Sequence, residues 1–181
     1  MNYHNILHDD MRNGEGLRVV LFSSGCQHHC PNCHNPQTWD CNSGIHFDKT
    51  AYDEIFEQLS KEYISGITFT GGDPLYENNL DNVLALVNEI SASYPDKSIW
   101  LYTGFTWNQI MYPIVTADFN PIRDELIHKR KEIVKQCDIL IDGRYVDELR
   151  DITLKWRGSS NQRVIDIQES LKQDKIILHC E

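Results

Sequence analysis

The sequence contains no hydrophobic run long enough to cross a membrane. Its longest uninterrupted apolar run is five residues, Val83 to Val87, whereas a membrane-spanning helix needs about 20. The first residues also lack the basic stretch followed by an apolar one that marks a secretory signal. We therefore expect a cytoplasmic protein that does not associate with membranes.

An excess of basic residues is also absent. Seventeen Lys and Arg stand against 27 Asp and Glu, which gives a formal net charge of −10. Binding to a nucleic-acid backbone requires a basic surface, because much of the affinity comes from neutralising phosphates. The composition therefore argues against a nucleic-acid partner, although a nucleotide-sized ligand can still occupy a local pocket.

No internal repeat, low-complexity tract or Pro/Gly-rich linker divides the chain. It has 181 residues, of which 40% are hydrophobic. This is long enough to bury a core and short enough to favour one domain. We therefore expect residues 1–181 to form a single domain.

The six cysteines are distributed unevenly. Without a secretory signal, cysteines indicate metal ligands or catalytic thiols more than disulfides. Three of them lack the spacing of a metal cluster and are expected to be free thiols: Cys41, Cys137 and Cys180. The other three, Cys26, Cys30 and Cys33, fall within eight residues.

Predicted strands and helices alternate along the chain. Apolar stretches at 17–23, 67–70, 98–102 and 137–141 are typical of strands, and less regular strands are predicted at 163–167 and 175–179. Helical patterns follow Asp48, Asn79 and Asn120, of which Asp48 and Asn120 are good N-caps. This order indicates an α/β fold with a mainly parallel sheet.

The loops that follow the four main strands are predicted to meet at one edge of the sheet. Parallel strands place their carboxyl ends together, and ligands bind at that edge. The four loops are rich in Gly and polar residues and lie at 24–26, 71–73, 102–104 and 142–144. We therefore expect the functional site there.

The spacing Cys26-x3-Cys30-x2-Cys33 places three thiols in one loop, close enough to hold one metal centre. An iron–sulfur cluster is one interpretation. A structural zinc site of three Cys and one His is another, because histidines lie nearby at His28, His29 and His34. We expect His28 and His29 at the loop surface. Thiolate chemistry suits both metals, so spacing alone leaves both open.

Three cysteines on a four-iron cluster leave one iron without a protein ligand, an arrangement that suits substrate binding. The cysteine motif, followed one βα unit later by Gly-Gly-Asp, resembles the radical S-adenosylmethionine (SAM) superfamily. More narrowly, the sequence is similar to the activating proteins of anaerobic ribonucleoside-triphosphate reductase. The segments that carry this resemblance are Asn13–Gly16, Ser24–Trp39, Thr70–Leu75, Leu101–Gly104, Ile141–Tyr145 and Trp156–Arg163.

The resemblance implies a partial, open (β/α) barrel, with a family-like core at about 13–163 and an extension at 164–181. It implies that the cluster is held by Cys26, Cys30 and Cys33. It also implies cofactor-binding positions at Asn32, Cys33, His34, Gly71, Gly72, Asp73, Pro74, Tyr102 and Asp142. No catalytic residue is expected beyond the cluster and SAM.

Two departures from the family pattern affect these expectations. The residue before the third cysteine is Asn32, where the superfamily often has an aromatic residue that stacks on adenine. The backbone of 32–34 can still hold the base. The segment 111–131 and the tail after 164 resemble additions to the core. In the Gly-Gly turn, we expect Gly72→Val to impair SAM binding while the cluster still assembles.

The function implied by the resemblance is that of an enzyme. It would reductively cleave SAM at a [4Fe-4S] cluster and generate a glycyl radical on anaerobic ribonucleoside-triphosphate reductase. Partner contacts are expected at 142–145 and 157–163. A donor such as flavodoxin or ferredoxin is expected to supply the electrons. A homodimer is compatible with the family. The alternatives are an activase of another glycyl-radical enzyme and a non-catalytic, zinc-stabilised binding module.

Overall fold

The structure, a computed structural model, describes residues 1–114 and 120–180. Within these ranges eight strands form one sheet: β1 (Asn2–Asp10), β2 (Leu17–Ser23), β3 (Ile45–His46), β4 (Ile64–Gly71), β5 (Ser98–Tyr102), β6 (Ile139–Asp142), β7 (Arg163–Asp166) and β8 (Ile177–Leu178). The α-helices are α1 (Lys49–Leu59), α2 (Leu80–Ser93), α3 (Trp107–Met111), α4 (Pro121–Lys135) and α5 (Ile167–Gln173).

The sheet is mixed, with the strand order β3-β1-β2-β4-β5-β6-β7-β8. The central strands β2, β4, β5 and β6 are parallel, whereas the pairs on both flanks are antiparallel. The α/β prediction is confirmed, but a mainly parallel sheet describes only the centre. For β1 and β2 the physical reason is connection length, because six residues join them, too few for the crossover that a parallel pair needs.

The two N-caps predicted from the sequence are confirmed. The Asp48 side chain accepts hydrogen bonds from the backbone N–H groups of Thr50 and Ala51 at the start of α1. The Asn120 side chain accepts from the N–H of Arg123, and Pro121 is the first residue of α4. Both caps satisfy donors that have no partner within the first helical turn.

The two faces of the sheet pack differently because side chains alternate along each strand. On one face, Val19, Leu21, Phe69 and Leu101 pack into the large core that includes the apolar residues of α1, α2 and α4. The opposite face carries a smaller apolar cluster, which contains Trp100, Ile139, Ile141 and Val164, with Tyr102, Trp156 and Cys180 packed against it.

A buried arginine joins three strands near their amino ends. Arg18 on β2 is fully buried and donates hydrogen bonds to the Thr68 hydroxyl and the Ile67 carbonyl on β4, and to the hydroxyl and carbonyl oxygens of Ser98 on β5. Its guanidinium lies 5.2 Å from the centre of the Trp100 ring. Burial lowers the pKa of Arg18 to about 10.

Several element boundaries differ from the sequence predictions. The strand predicted at 137–141 is Ile139–Asp142, that at 163–167 ends at Asp166 because α5 begins at Ile167, and that at 175–179 is reduced to Ile177–Leu178. Sequence analysis missed β1 and α3. The segment 111–131 contains the end of α3 and most of α4, and its residues 115–119 lie outside the described ranges.

No helix within 1–114 or 120–180 is long and apolar enough to span a membrane.

Candidate functional site

Backbone hydrogen bonds join the loops at the carboxyl edge of the parallel strands. The N–H of Gly72 donates to the Ser23 carbonyl at 2.8 Å, and the N–H of Asp73 donates to the Gly25 carbonyl at 2.7 Å. On the other side, the N–H of Gly143 donates to the Phe105 carbonyl at 3.0 Å. The predicted convergence of the four loops is therefore present in the structure.

The cysteine loop begins directly after β2 and carries three free, partly exposed thiols. Burial raises the pKa of the Cys26 thiol to about 11, while the backbone N–H groups of His28 and His29 oppose this by hydrogen-bonding to it. Burial also raises the pKa of the Cys30 thiol, which accepts a hydrogen bond from the N–H of Tyr145. The Cys33 sulfur accepts from the N–H of Asn35 at 3.4 Å.

These contacts fit an anionic, sulfur-rich group. Backbone N–H groups point at the cysteine sulfurs, which is the kind of hydrogen bonding that stabilises thiolates and iron–sulfur clusters. The ring of Trp39 stacks on His29 at 4.8 Å, and its buried Nε1–H has no hydrogen-bond partner in the described structure. Within 1–114 and 120–180, no group of three or more His, Cys, Asp or Glu could hold a single metal ion.

Gly72 allows the Gly-Gly-Asp turn to approach the cysteine loop closely. A Cβ at this position would lie 2.4 Å from the Gly25 carbonyl oxygen and 2.8 Å from that of Thr38. Both oxygens belong to the backbone around the cysteine loop. We therefore expect Gly72→Val to disturb cluster assembly, whereas the sequence alone led us to expect that the cluster would still assemble. The neighbouring Gly71 has φ +102°, which favours glycine for a separate reason.

The Asp73 side chain is buried at the centre of the site. Its carboxylate accepts hydrogen bonds from the Thr103 hydroxyl at 2.9 Å, the Gly104 N–H at 3.1 Å and the Leu75 N–H at 2.9 Å. A fourth contact, 2.8 Å long, joins it to Nε2 of His28. The carboxylate therefore binds the loops to one another.

His28 was expected on the loop surface, and this expectation is wrong. Its side chain is 3% exposed. Besides the contact to Asp73, its Nδ1 lies 3.1 Å from Nε of Arg144. Sequence reasoning missed it because a histidine between two cysteines carries no sign of which way it points. His29, by contrast, is exposed as predicted.

The Asn32 side chain is already engaged by a neighbouring loop. Its amide donates to Asp147 at 2.7 Å, and the Tyr145 hydroxyl donates to the same carboxylate at 2.5 Å. Asn32 has φ +54°, a left-handed conformation that asparagine tolerates well. Of the next two residues, Cys33 is partly exposed and His34 is exposed, so the backbone of 32–34 stays open to a ligand.

Asp142, at the end of β6, is buried and anchors two other elements. Its carboxylate accepts from the N–H of Trp107 at 2.7 Å, at the start of α3, and forms an ion pair with Arg163. Tyr102, at the end of β5, packs against the apolar cluster on the face away from α1, and burial raises its pKa. Pro74 is buried beside Asp73.

The two segments expected to contact a partner are neighbours. The Asn161 amide donates to the Arg144 carbonyl at 2.8 Å, and the Gln162 amide donates to the Gly143 carbonyl at 3.0 Å. Beside them opens a cavity of about 560 Å³, a volume in the range of small-molecule sites. It is lined by Gly104, Thr106, Asn108, Gln109, Asp142, Gly143, Arg144, Asn161 and Arg163.

Known protein families contain the same sequence pattern. A family model described as a 4Fe-4S single cluster domain matches residues 12–165, which include the cysteine loop and all four parallel strands. The match favours the iron–sulfur interpretation of the three cysteines over structural zinc. The fold and the cysteine loop thus define a 4Fe-4S single cluster protein.

Individual relatives narrow the class. The anaerobic ribonucleoside-triphosphate reductase-activating protein of Escherichia coli is 41% identical over 166 residues, which cover 91% of this chain and 97% of that protein. The protein of the same name from Enterobacteria phage T4 is 41% identical over 91% of this chain and 93% of its own length. That of Vibrio cholerae is 37% identical over 90% and 96%. The chain belongs to the family of anaerobic ribonucleoside-triphosphate reductase-activating proteins.

Proposed function

We propose that this protein is a radical SAM activase that generates a glycyl radical on an anaerobic ribonucleoside-triphosphate reductase. The observation that carries the proposal is the junction between the three-cysteine loop and the Gly-Gly-Asp turn. The Asp73 N–H donates to the Gly25 carbonyl, one residue before Cys26, so the two motifs lie side by side. A cluster and a SAM molecule bound to it would need adjacent sites of this kind.

In this proposal Cys26, Cys30 and Cys33 hold a [4Fe-4S] cluster. The backbone of 71–74 and of 32–34 would contact SAM, and Tyr102 and Asp142 would complete its surroundings. Such a cluster, once reduced, would supply the one electron needed to cleave SAM to methionine and a 5′-deoxyadenosyl radical, and this radical would take a hydrogen atom from the partner's glycine. The residues of this chain position and shield the reactants, while the cofactors carry the chemistry.

The fold supports the same assignment. Four parallel strands have helices packed on one face, and the loops after their carboxyl ends carry the candidate site, as the corresponding loops do in barrel enzymes. We propose that residues 1–181 form one domain built as a partial, open barrel of the radical SAM type. The antiparallel strands on both flanks then close the edges of the parallel centre.

The partner is proposed from the names of the relatives, each an activating protein of anaerobic ribonucleoside-triphosphate reductase. The neighbouring segments 142–145 and 157–163 border the cavity and are the proposed contact surface. A low-potential one-electron donor such as flavodoxin or ferredoxin would reduce the cluster.

Anaerobic reconstitution tests the proposal. The protein should be brown, contain about four irons per chain, bleach on reduction, and convert SAM to methionine and 5′-deoxyadenosine when reduced. A colourless protein that binds zinc tightly and assembles no cluster would exclude the proposed function. A cluster that forms but never cleaves SAM would retain the iron–sulfur assignment and exclude the activase.

A further inference from the structure

The buried imidazole of His28 contacts the loops that follow all three of the other parallel strands. Its Nε2 lies 2.8 Å from Asp73 after β4, and its Nδ1 lies 3.1 Å from Nε of Arg144 after β6. After β5, the ring of Phe105 meets it edge-to-face at 4.8 Å. His28 itself belongs to the loop after β2, between Cys26 and Cys30.

The direction of both hydrogen bonds follows from the chemistry of the partners. The Nε of a guanidinium can only donate, so Nδ1 of His28 accepts from Arg144. The hydrogen of the imidazole then resides on Nε2 and is donated to Asp73. The same carboxylate also accepts from Thr103 and Gly104, so these loops share one acceptor.

The backbone beside the ring is shaped to admit it. A Cβ at Gly104 would lie 2.3 Å from Cδ2 of His28, so any larger residue there would displace the imidazole. The guanidinium of Arg130 lies 4.6 Å from the centre of the Phe105 ring, and Nε of Arg130 donates to the Leu75 carbonyl. The ring of His28 is therefore enclosed by groups that have partners of their own.

We infer that His28 is a positioning residue, which locks the cysteine loop to the Gly-Gly-Asp turn through its Nε2–H···Asp73 hydrogen bond. This inference rests on the proposed function, because it assigns the lock to the two motifs that would hold the cluster and SAM. His28 need not touch either group. Its effect is to hold the cluster-bearing loop at a fixed distance from the turn that contacts SAM.

The test compares three variants. His28→Ala removes both hydrogen bonds, whereas His28→Gln retains an amide N–H that can reach Asp73. His29→Asn is the matched control, because His29 lies in the same loop, is exposed, and has φ +45°, which asparagine tolerates. Each reconstituted protein is assayed for iron content and for SAM affinity, through the change that SAM causes in the electron paramagnetic resonance spectrum of the reduced cluster.

We expect all three variants to retain wild-type iron content. SAM affinity should fall at least about tenfold in His28→Ala, equivalent to about 1.4 kcal/mol, recover in part in His28→Gln, and stay unchanged in His29→Asn. Wild-type affinity in His28→Ala would overturn the inference. Equal losses in His28→Ala and His29→Asn, or no recovery in His28→Gln, would also overturn it, because the effect would then come from general loop packing.

A second measurement separates this inference from the proposed function. Hydrogen exchange of the Gly104 amide, which donates to Asp73, is followed in the purified proteins without added SAM. It should be faster in His28→Ala than in the wild type and His29→Asn, and an unchanged rate would overturn the lock. A wild-type protein that never responds to SAM would exclude the activase, and amide exchange would still decide the role of His28.

Discussion

At the scale of single residues, the proposed cluster depends on three thiols that share one loop. Cys26, Cys30 and Cys33 are partly exposed, and backbone N–H groups hydrogen-bond to their sulfurs. A cluster needs every ligand, because thiolate ligation holds the irons in place. We expect the replacement of any one of these cysteines by Ala to abolish the brown cluster absorbance and SAM cleavage, as measured after anaerobic reconstitution.

Cys41→Ala is the matched control for this prediction. Cys41 is also partly exposed and lies near the same loop, because a Cβ added at Gly25 would lie 3.1 Å from the Cβ of Cys41. Its iron content and SAM cleavage should equal those of the wild type. Loss of the cluster in Cys41→Ala, or retention in a variant of the cysteine motif, would show that the ligands are misassigned.

A second residue-scale prediction concerns Gly72. Because its Cβ would lie 2.4 Å from the Gly25 carbonyl oxygen, Gly72→Ala must shift the backbone of the cysteine loop. We expect a loss of about 2 kcal/mol in the free energy of unfolding, together with reduced iron content. Urea unfolding and an iron assay measure the two effects.

Gly158→Ala serves as the comparison for Gly72→Ala. The nearest atoms to its Cβ would belong to side chains, the Tyr145 ring at 3.1 Å and the Gln162 amide oxygen at 3.7 Å, and that ring can move. We expect Gly158→Ala to have only a small effect on the free energy of unfolding and on the iron content. If Gly72→Ala were as stable as the wild type and fully loaded with iron, close approach of the two loops would not be what requires glycine.

The candidate ligand residues can be proposed from the sequence alone, but the contacts that hold the loops together could not be predicted from it. Three cysteines at short spacing are recognisable in the sequence without a structure. His28, Asn32 and Asp147 do not, because their roles depend on residues 45 to 116 positions away. Distances of that kind along the chain leave no periodic signal.

At the scale of elements, Arg18 stabilises the amino ends of the central strands. It is fully buried and donates to side-chain and carbonyl oxygens on β4 and β5. Arg18→Met would keep an apolar stem and leave these acceptors unpaired, at about 1–3 kcal/mol for each that stays buried. We expect the free energy of unfolding to fall by about 3 kcal/mol or more, as measured by urea denaturation.

Arg12→Met is the control for the buried arginine. The Arg12 side chain is 85% exposed and lies 3.6 Å from the buried Asp10. The Asp10 carboxylate also accepts from the backbone N–H groups of Arg12 and Asn13, so the contact with this solvated arginine contributes little. Its stability should change by less than about 0.5 kcal/mol. Equal stabilities of the two variants would mean that the Arg18 hydrogen bonds do not hold the strands together.

The central βαβ order could be predicted because apolar strands of four to eight residues alternate with helices, of which α1 and α4 carry side-chain N-caps. The antiparallel strands on the two flanks of the sheet could not be predicted in the same way. β1 resembles a polar segment, because only Ile6 and Asp10 among its nine residues are buried, and a half-exposed strand lacks a clear hydrophobic pattern. β8 has only two residues, so its pairing depends on β7 and not on its own sequence.

At the scale of the whole molecule, the chain combines the core of a 4Fe-4S single cluster domain with segments of less regular structure. The family match covers 12–165, and the tail beyond it forms α5 and β8, which pack on the edge of the sheet. The whole chain has a net charge of −10, but the proposed partner surface at 142–145 and 157–163 has three Arg and one Asp, a net charge of 3 − 1 = +2. Arg163 is paired with Asp142, so the positive charge of this surface comes from Arg144 and Arg157.

The most direct test of the central claim is the electron paramagnetic resonance spectrum of the reductase itself. The cognate anaerobic ribonucleoside-triphosphate reductase is incubated anaerobically with the reduced, cluster-loaded protein and SAM. The account predicts a glycyl radical doublet that requires all three components and is absent with the Cys26→Ala variant. Active SAM cleavage without any doublet on a competent reductase would contradict the claim and assign the chain to a different radical SAM substrate.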